Sequence, residues 1–479
     1  MIVTLFGIIV FVIGAYLLLR GSATAMLVFV MTCTLFGGAA TLFLPALGGS
    51  SVQPAMLASI FLVVHCVLRI EPRQIAKGFA DNRYLVVFGL YAAVTAFVLP
   101  RLFEESIYVV PMKPIGLDTY QTVPLTFTNQ NITHAINITG TMLAGVCASA
   151  VALRDMRPVR LLRAGANIGL IHAALGVLDL ILTPLHQQWV LDIFRNGSYS
   201  QVDQVVSGFT RINGVFPEPS TYAAYGFFWF VFATEAWLRN LEPRRTGAAA
   251  LALLAVLIFT TSSTAYAGLA AYFLVLMVRW LVFPGSIRAR RGVVIAFLAL
   301  VLGTGVVGLM VVAPAAYSGF ASVVEQMTFG KASSGSGLER QMWARQGWEA
   351  FKTSYGLGIG AGSFRSSSFA AAVLGSLGVV GVTTYVLHVL QTLKPARLST
   401  YVTVASQPLN VGSAFAWAAA AGMLPAMASA ASPDPGVVFA IFAGVGLAYR
   451  RQKRERTRLV TATSAPKPAA SAAKPVGGG

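Results

Sequence analysis

Between Arg83 and Arg101 the chain reads Tyr84-Leu-Val-Val-Phe-Gly-Leu-Tyr-Ala-Ala-Val-Thr-Ala-Phe-Val-Leu-Pro100, seventeen residues without a charge. A helix needs roughly 20 mostly apolar residues to cross a bilayer, and about 17 is the lower limit. Runs of this kind recur, about thirteen in all: 2–19, 24–47, 52–69, 84–100, 132–153, 162–185, 219–238, 247–263, 265–283, 292–314, 368–390, 408–430 and 436–450. The whole chain has 479 residues, 56 % hydrophobic and 11 % charged, with a mean hydropathy of +0.70. Soluble domains carry about a quarter charged residues, so a soluble enzyme is excluded. The reading is an all-α polytopic integral membrane protein with about 12–13 transmembrane helices over residues 1–450. The first run lacks a basic start and a small-residue cleavage site, and reads as a span rather than a signal peptide.

The net charge of +18 is explained by where the basic residues fall. One set of inter-span segments holds Arg20, Arg69–Arg83, Arg154–Arg163, Arg239–Arg245, Arg279–Arg291, Lys394, Arg397 and the tail from Arg450 to Lys474, together 26 of the 35 Lys and Arg. The other side holds nine: Arg101, Lys113, Arg195, Arg211, Lys331, Arg340, Arg345, Lys352 and Arg365. Basic loops stay cytoplasmic. The N-terminus is therefore expected outside and the C-terminus inside, and nucleic acid is not expected as a partner. The tail 451–479 reads as a basic patch followed by a disordered Ala/Pro/Ser/Gly segment. Cys33, Cys66 and Cys147 lie in apolar runs and match neither a metal spacing nor a disulfide framework.

Three outer loops are long, 101–131, 186–218 and 315–367, and long loops are where function concentrates. The second ends in Arg211-Ile-Asn-Gly-Val-Phe-Pro-Glu218-Pro-Ser220, at the mouth of the next span. Glu218 there admits two readings. It offsets the positive end of the helix dipole, or it is a carboxylate held rigidly by two prolines at the membrane surface. The third loop carries Leu338-Glu-Arg340-Gln-Met-Trp343-Ala-Arg345-Gln-Gly-Trp348-Glu349, which reads as an amphipathic helix. Trp343, Ala344, Gly347, Trp348, Phe351 and Tyr355 share its apolar face, with Arg340 among them. A guanidinium so placed seeks an anion such as phosphate, or snorkels its stem along the interface. Arg345 is placed to pair with Glu349 one turn on. Gly356-Leu-Gly358-Ile-Gly360-Ala-Gly362-Ser-Phe-Arg365 follows. Its glycines let backbone approach a ligand such as phosphate, or simply give a flexible re-entry into the next span. Asp179 and His172 lie seven residues apart on one face of an intramembrane helix and suit interhelical hydrogen bonds or a proton path. Glu235 and His388 fall near cytoplasmic helix ends, where water is in reach. There is no Walker loop, no paired-aspartate nucleotide-sugar site and no histidine cluster; no metal site and no cofactor are expected.

Together these residues resemble the O-antigen ligase and polymerase superfamily. Ser334 to Trp343 stands where that family has an Arg-x-x-Trp helix start, Leu357 to Phe364 where it has a Gly-rich stretch, and Leu377-Gly-Val-Val-Gly381 where a Leu-Gly-x-x-Gly follows. Arg211 to Ser220 resembles the family's Arg-x-x-Gly-x-Phe-x-Glu-Pro-Ser region, seen in exopolysaccharide polymerases. Ligases carry a His-Asn pair just after the Gly-rich stretch; Ser366-Ser-Ser-Phe369 occupies that place here. The resemblance is thus to Wzy-type polymerases rather than WaaL-type ligases, over about seventy residues.

That resemblance implies a GT-C-like glycosyltransferase of the bacterial inner membrane. Its donor and acceptor would be undecaprenyl-diphosphate-linked glycans, held with membrane lipid and worked on beside a flippase and a chain-length regulator of the same pathway. Arg211, Arg340 and Glu218 would be catalytic, the arginines on the diphosphate and Glu218 as general base. Arg345, Trp343, Gly358, Gly360, Gly362 and Arg365 would bind substrate. The alternatives are a ligase, which would use the same arginines, and a transporter, which would rest on Asp179, His172 and Glu235.

Overall fold

Five helices open on a proline in their first turn, Pro54, Pro72, Pro158, Pro219 and Pro243. Proline suits that position because its missing N–H has no helical partner to lose and its φ is preset. The computed structural model describes residues 2–45, 49–113, 121–155, 157–197, 205–206, 209–282, 291–292, 318, 335–394 and 407–464. In chain order the helices are α1 (Leu5–Arg20), α2 (Ala23–Cys33), α3 (Pro54–Arg69), α4 (Pro72–Asp81), α5 (Arg83–Leu102), α6 (Asn129–Arg154), α7 (Pro158–Leu182) and the short α8 (Trp189–Asp192). They continue with α9 (Pro219–Leu238), α10 (Pro243–Phe259), α11 (Ser263–Val282), α12 (Gly335–Thr353), α13 (Phe369–Leu393), α14 (Gln407–Gly422) and α15 (Gly436–Ser464). The strands are two or three residues long: an antiparallel trio β1 (Ile2–Val3), β2 (Leu42–Leu44) and β3 (Ser50–Val52), and the hairpin pairs Tyr108–Val109 with Val123–Pro124 and Val205–Val206 with Phe209–Thr210.

Among the described residues six helical segments are long and apolar enough to cross a membrane: Arg83–Leu102, Asn129–Arg154, Pro158–Leu182, Ser263–Val282, Phe369–Leu393 and Gln407–Ala428. The chain is a helical membrane protein. Only 28 % of the α11 window is buried. Its exposed Phe273, Leu274, Met277 and Val278 form an apolar surface suited to lipid.

The span count expected from hydropathy is higher than these six. The 292–314 run lies outside the described residues apart from Gly292. The 24–47 run is not one helix. α2 stops at Cys33, where the Thr34 hydroxyl donates to the Met31 carbonyl (2.6 Å). Gly38 then donates its N–H to Val215 (2.9 Å), and Thr41 donates to Val52 (2.8 Å). The apolar residues after α2 are spent on seating a loop. At the C-terminal end α15 continues through the basic run to Ser464, and residues 465–479 lie outside the described residues.

The core forms where α6, α9, α14 and α15 pack together. Small residues bring α6 and α15 to backbone contact: a Cβ on Gly444 would collide with the Gly145 carbonyl oxygen, and Ser149 donates to the Gly444 carbonyl (2.7 Å). Membrane helices associate through such small-residue seams. Beside it Trp229, Phe232, Phe415 and Phe442 interlock, with Phe232 and Phe415 ring centroids 4.5 Å apart.

Candidate functional site

The loop that enters α9 is built on a buried carboxylate. Asp179, near the end of α7, accepts from the backbone N–H of Asn213 (2.8 Å) and of Gly214 (2.9 Å), and its other oxygen is ion-paired with the buried Arg195. Arg195 also donates through Nε to the Gly214 carbonyl (2.7 Å). The loop is thereby tied at both its N–H and C=O groups. Phe216 is wedged against Gly37. The Tyr222 hydroxyl donates to the His172 carbonyl (3.1 Å), and the two rings stack at 4.0 Å. Asp179 and His172 thus each hold the loop–α9 junction, and neither is bonded to the other.

On this base stand Arg211 and Glu218. Glu218 is the residue before α9, with extended backbone, and its carboxylate makes no hydrogen bond to the helix N–H groups. The side chain is held instead by Ser220, whose hydroxyl donates to Oε1 (2.7 Å). The main-chain oxygen of Glu218 accepts from Tyr222 N–H (3.1 Å) and from the Thr221 hydroxyl (2.8 Å). Hydrogen-bond capping of α9 therefore falls to the backbone. Burial holds the Arg211 guanidinium below its usual pKa; the Glu218 carboxylate opposes that shift, while the Arg340 guanidinium adds to it. Tyr266, at the start of α11, is a further near neighbour of Arg211, and its hydroxyl donates to the Ile258 carbonyl (2.9 Å). Arg211 and Glu218 lie in the loop before α9, and Arg340, on α12 far along the chain, is near enough to act electrostatically on Arg211.

Arg340 is carried by α12. Its carbonyl accepts from the Ser367 hydroxyl, so the turn bearing Arg340 is tied to the chain just before α13. One turn on, the Arg365 guanidinium lies over the Trp343 ring, 4.5 Å from its centroid, a cation–π contact. The buried face of α12 matches the expected apolar face only in part. Gly347 of that face is buried and Trp343, Ala344 and Phe351 are half-buried, but Trp348 and Tyr355 are exposed, and Gln346 and Ala350, off that face, are buried. Small residues win here because a Cβ on Gly347 would collide with the Ala371 carbonyl of α13. Gln346 accepts from Val110 N–H (3.0 Å) and donates to the Tyr108 carbonyl (3.2 Å).

Arg345 stands apart. Its side chain is 80 % exposed and pairs with Glu349 at 3.1 Å across one helical turn. Gly358, Gly360 and Gly362 also stand apart from a ligand role. All three have positive φ, 84° to 91°, a region open to glycine, and each is pressed on protein. A Cβ on Gly358 would collide with Ser376 backbone, one on Gly360 would lie 2.8 Å from Pro100 Cδ, and one on Gly362 2.5 Å from the Gln130 carbonyl oxygen. The N–H groups of Ile359 and Gly360 donate to Gly375 and Ser376 (2.9 Å each), and that of Gly358 to the Ser354 hydroxyl (2.8 Å). The strap docks where α13 breaks at Gly378 (φ 57°, ψ −151°). It is neither a flexible re-entry nor a phosphate cradle at Gly358 and Gly360, whose donors are already engaged.

Two further expectations are corrected. Glu235 and His388 do not reach water; both are buried. Glu235 is bonded by two arginines and a tyrosine, and His388 packs on the Phe439 ring at 5.7 Å. Sequence reasoning missed Arg195 as the partner of Asp179 and Tyr266 as a neighbour of Arg211. Arg195 had no sequence signal beyond its charge.

Compared with family models, with characterised proteins and with solved structures, the chain matches none of them. The site itself offers two guanidiniums to an anion and, beside them, a carboxylate fixed by a hydroxyl.

Proposed function

We propose that the protein is a membrane glycosyltransferase of the Wzy type, GT-C-like in plan. It would join oligosaccharide repeat units carried on undecaprenyl diphosphate at the outer face of a bacterial inner membrane. The observation that carries this reading is that Glu218 and Arg340 both act electrostatically on the half-buried Arg211 at the mouth of α9. The resemblance of the Arg211–Ser220 and Ser336–Gly381 segments to that superfamily supports it. The distribution of basic residues supports the orientation, with this end of α9 outside and the end at Arg239 inside.

In the reaction an acceptor hydroxyl attacks the anomeric carbon of the donor glycan. A new C–O bond forms as the bond to the diphosphate breaks, and the lipid diphosphate leaves with the bonding electron pair. Negative charge grows on the leaving group, and fixed cations aimed there lower the barrier. Arg211 and Arg340 supply them, in a fork geometry that suits phosphate. Glu218 takes the proton of the attacking hydroxyl, and Ser220 holds the carboxylate in place for that transfer. Trp343 and Arg365 lie beside this centre and bind the glycan or its diphosphate. The polyprenyl chain remains in the bilayer against the apolar flanks of the helices.

The test is replacement of Glu218 by Gln and of Arg340 by Ala in cells, at matched protein levels, with the glycans separated by size. Loss of long polymer while single repeat units still appear outside is the expected result. Wild-type polymer in both variants would remove these residues from the site. Single repeats trapped on the cytoplasmic face would replace the polymerase reading with a transporter.

A further inference from the structure

At the end of the bundle opposite Glu218, α1, α3 and α6 finish on Arg20, Arg69 and Arg154. α7 leads from this end to Asp179, which ties down the loop before α9. Arg69 donates through Nη2 to the Leu19 carbonyl of α1 (2.7 Å), and Arg154 donates through Nη1 to the Arg69 carbonyl of α3 (2.6 Å). Each guanidinium thus meets a last carbonyl of a neighbouring helix. Both also act electrostatically on the buried His65 of α3, so the two cations share one neighbourhood. Arg69 and Arg154 are both exposed.

Orienting a chain in a membrane requires only positive charge on one side. A helix C-terminus gains from an arginine bonded to its last carbonyls. Neither effect requires two guanidiniums to converge without an anion. Asp155, next to Arg154, is engaged elsewhere: it accepts from the Thr24 hydroxyl at one oxygen and from Arg157 N–H (2.9 Å) at the other. Among the described residues no carboxylate, Glu71 of the turn after α3 included, is ion-paired with Arg69 or Arg154. A guanidinium carries five N–H donors, and here each gives a single hydrogen bond to protein. The other donors stand at the surface. Beside them the last turns of α1 and α3 expose Tyr16, Leu19, Val67 and Leu68, so a basic patch borders an apolar face.

We infer that Arg69 and Arg154 form a binding site for the headgroup phosphate of an anionic phospholipid, whose acyl chains lie on the exposed apolar turns of α1 and α3. The guanidinium fork matches phosphate oxygens two at a time, and basic clusters at the ends of spans recognise such headgroups. A charged group joined to apolar chains fits both halves of this surface. A free phosphate ion fits only the basic half. The site is independent of the glycosyl-transfer reading.

The test is thermal unfolding of the purified full chain in detergent, with added phosphatidylglycerol, phosphatidylcholine or inorganic phosphate. Phosphatidylglycerol is expected to raise the unfolding midpoint by roughly 2–4 °C. Phosphatidylcholine, which has no net charge, and inorganic phosphate, which has no chains, should each raise it by under about 1 °C. Replacing both arginines, Arg69→Gln with Arg154→Gln, abolishes the phosphatidylglycerol rise. Arg245→Gln, which removes an exposed cation at the start of α10 on the same side of the bundle, keeps it. In the wild type the rise falls by roughly half between about 0.1 and 0.5 M chloride, because the contact is ionic; this arm decides the matter if the double variant does not fold. No rise with phosphatidylglycerol, an equal rise with phosphatidylcholine or with phosphate, a rise that survives the double substitution or the added salt, or one lost with Arg245→Gln would overturn the site.

Discussion

Each end of α9 carries a glutamate beside two arginines, yet the two sites are built in opposite ways. At the Glu235 end both carboxylate oxygens are bonded by cations, a tyrosine adds a third bond, and no part of the carboxylate meets solvent. At the Glu218 end one oxygen is held by a serine, the residue is half-buried, and the arginines come one from the preceding loop and one from α12. The two glutamates are 17 positions apart, about 25 Å along a helix. The comparison teaches that composition does not distinguish a structural ion cluster from a reactive one. Closure does: a buried carboxylate whose two oxygens are both bonded by fixed cations is poorly placed to take a proton from a hydroxyl, whereas one pinned on a single oxygen can take it.

Removing the closed carboxylate should do the greatest damage. Glu235→Ala leaves two guanidiniums buried without their anion and is expected to destabilise the protein by about 3–5 kcal/mol, read as a lower unfolding midpoint and reduced yield in membranes. Glu218→Gln should cost within about 1 kcal/mol by the same measurement. Equal losses at the two sites would erase the distinction. Next in size is Arg340→Ala, expected to slow glycosyl transfer by roughly 10²–10³-fold with an unchanged unfolding midpoint. Ser220→Ala releases one hydrogen bond on Glu218, worth about 1 kcal/mol, so a rate roughly fivefold lower is expected. A larger loss would mean that the serine itself meets substrate. The smallest effect is at Arg345. Its exposed pair with Glu349 is worth under about 0.5 kcal/mol, and Arg345→Ala should leave both rate and stability near wild type. A strong loss of polymer there would bring Arg345 back into the diphosphate clamp.

Sequence patterning conveyed some of this architecture and missed the rest for identifiable reasons. The apolar runs at 84–100, 132–153 and 162–185 became helices because length and hydropathy are properties of the run itself. The 24–47 run failed because hydropathy reports composition and not path; Thr34, Gly38 and Thr41 turn the chain toward Val215 and Val52. The Arg345–Glu349 pair was legible because helical spacing alone defines it. The Gly358–Gly362 strap was not, since a glycine permits close approach without saying to what, and here the neighbours are Ser376, Pro100 and Gln130. Arg211, Glu218 and Arg340 were singled out by their local settings, but their meeting is a tertiary fact. So is the Asp179–Arg195 pair that fixes the loop beneath them.

The central claim is that Glu218, with Arg211 and Arg340, performs glycosyl transfer. The most direct measurement uses purified protein in lipid nanodiscs, supplied with an undecaprenyl-diphosphate-linked oligosaccharide and followed by product length. Wild-type protein is expected to build chains longer than one repeat. Glu218→Gln should still retain the lipid-linked donor, through the unchanged arginines, but build none. Chains of wild-type length from Glu218→Gln would contradict the account.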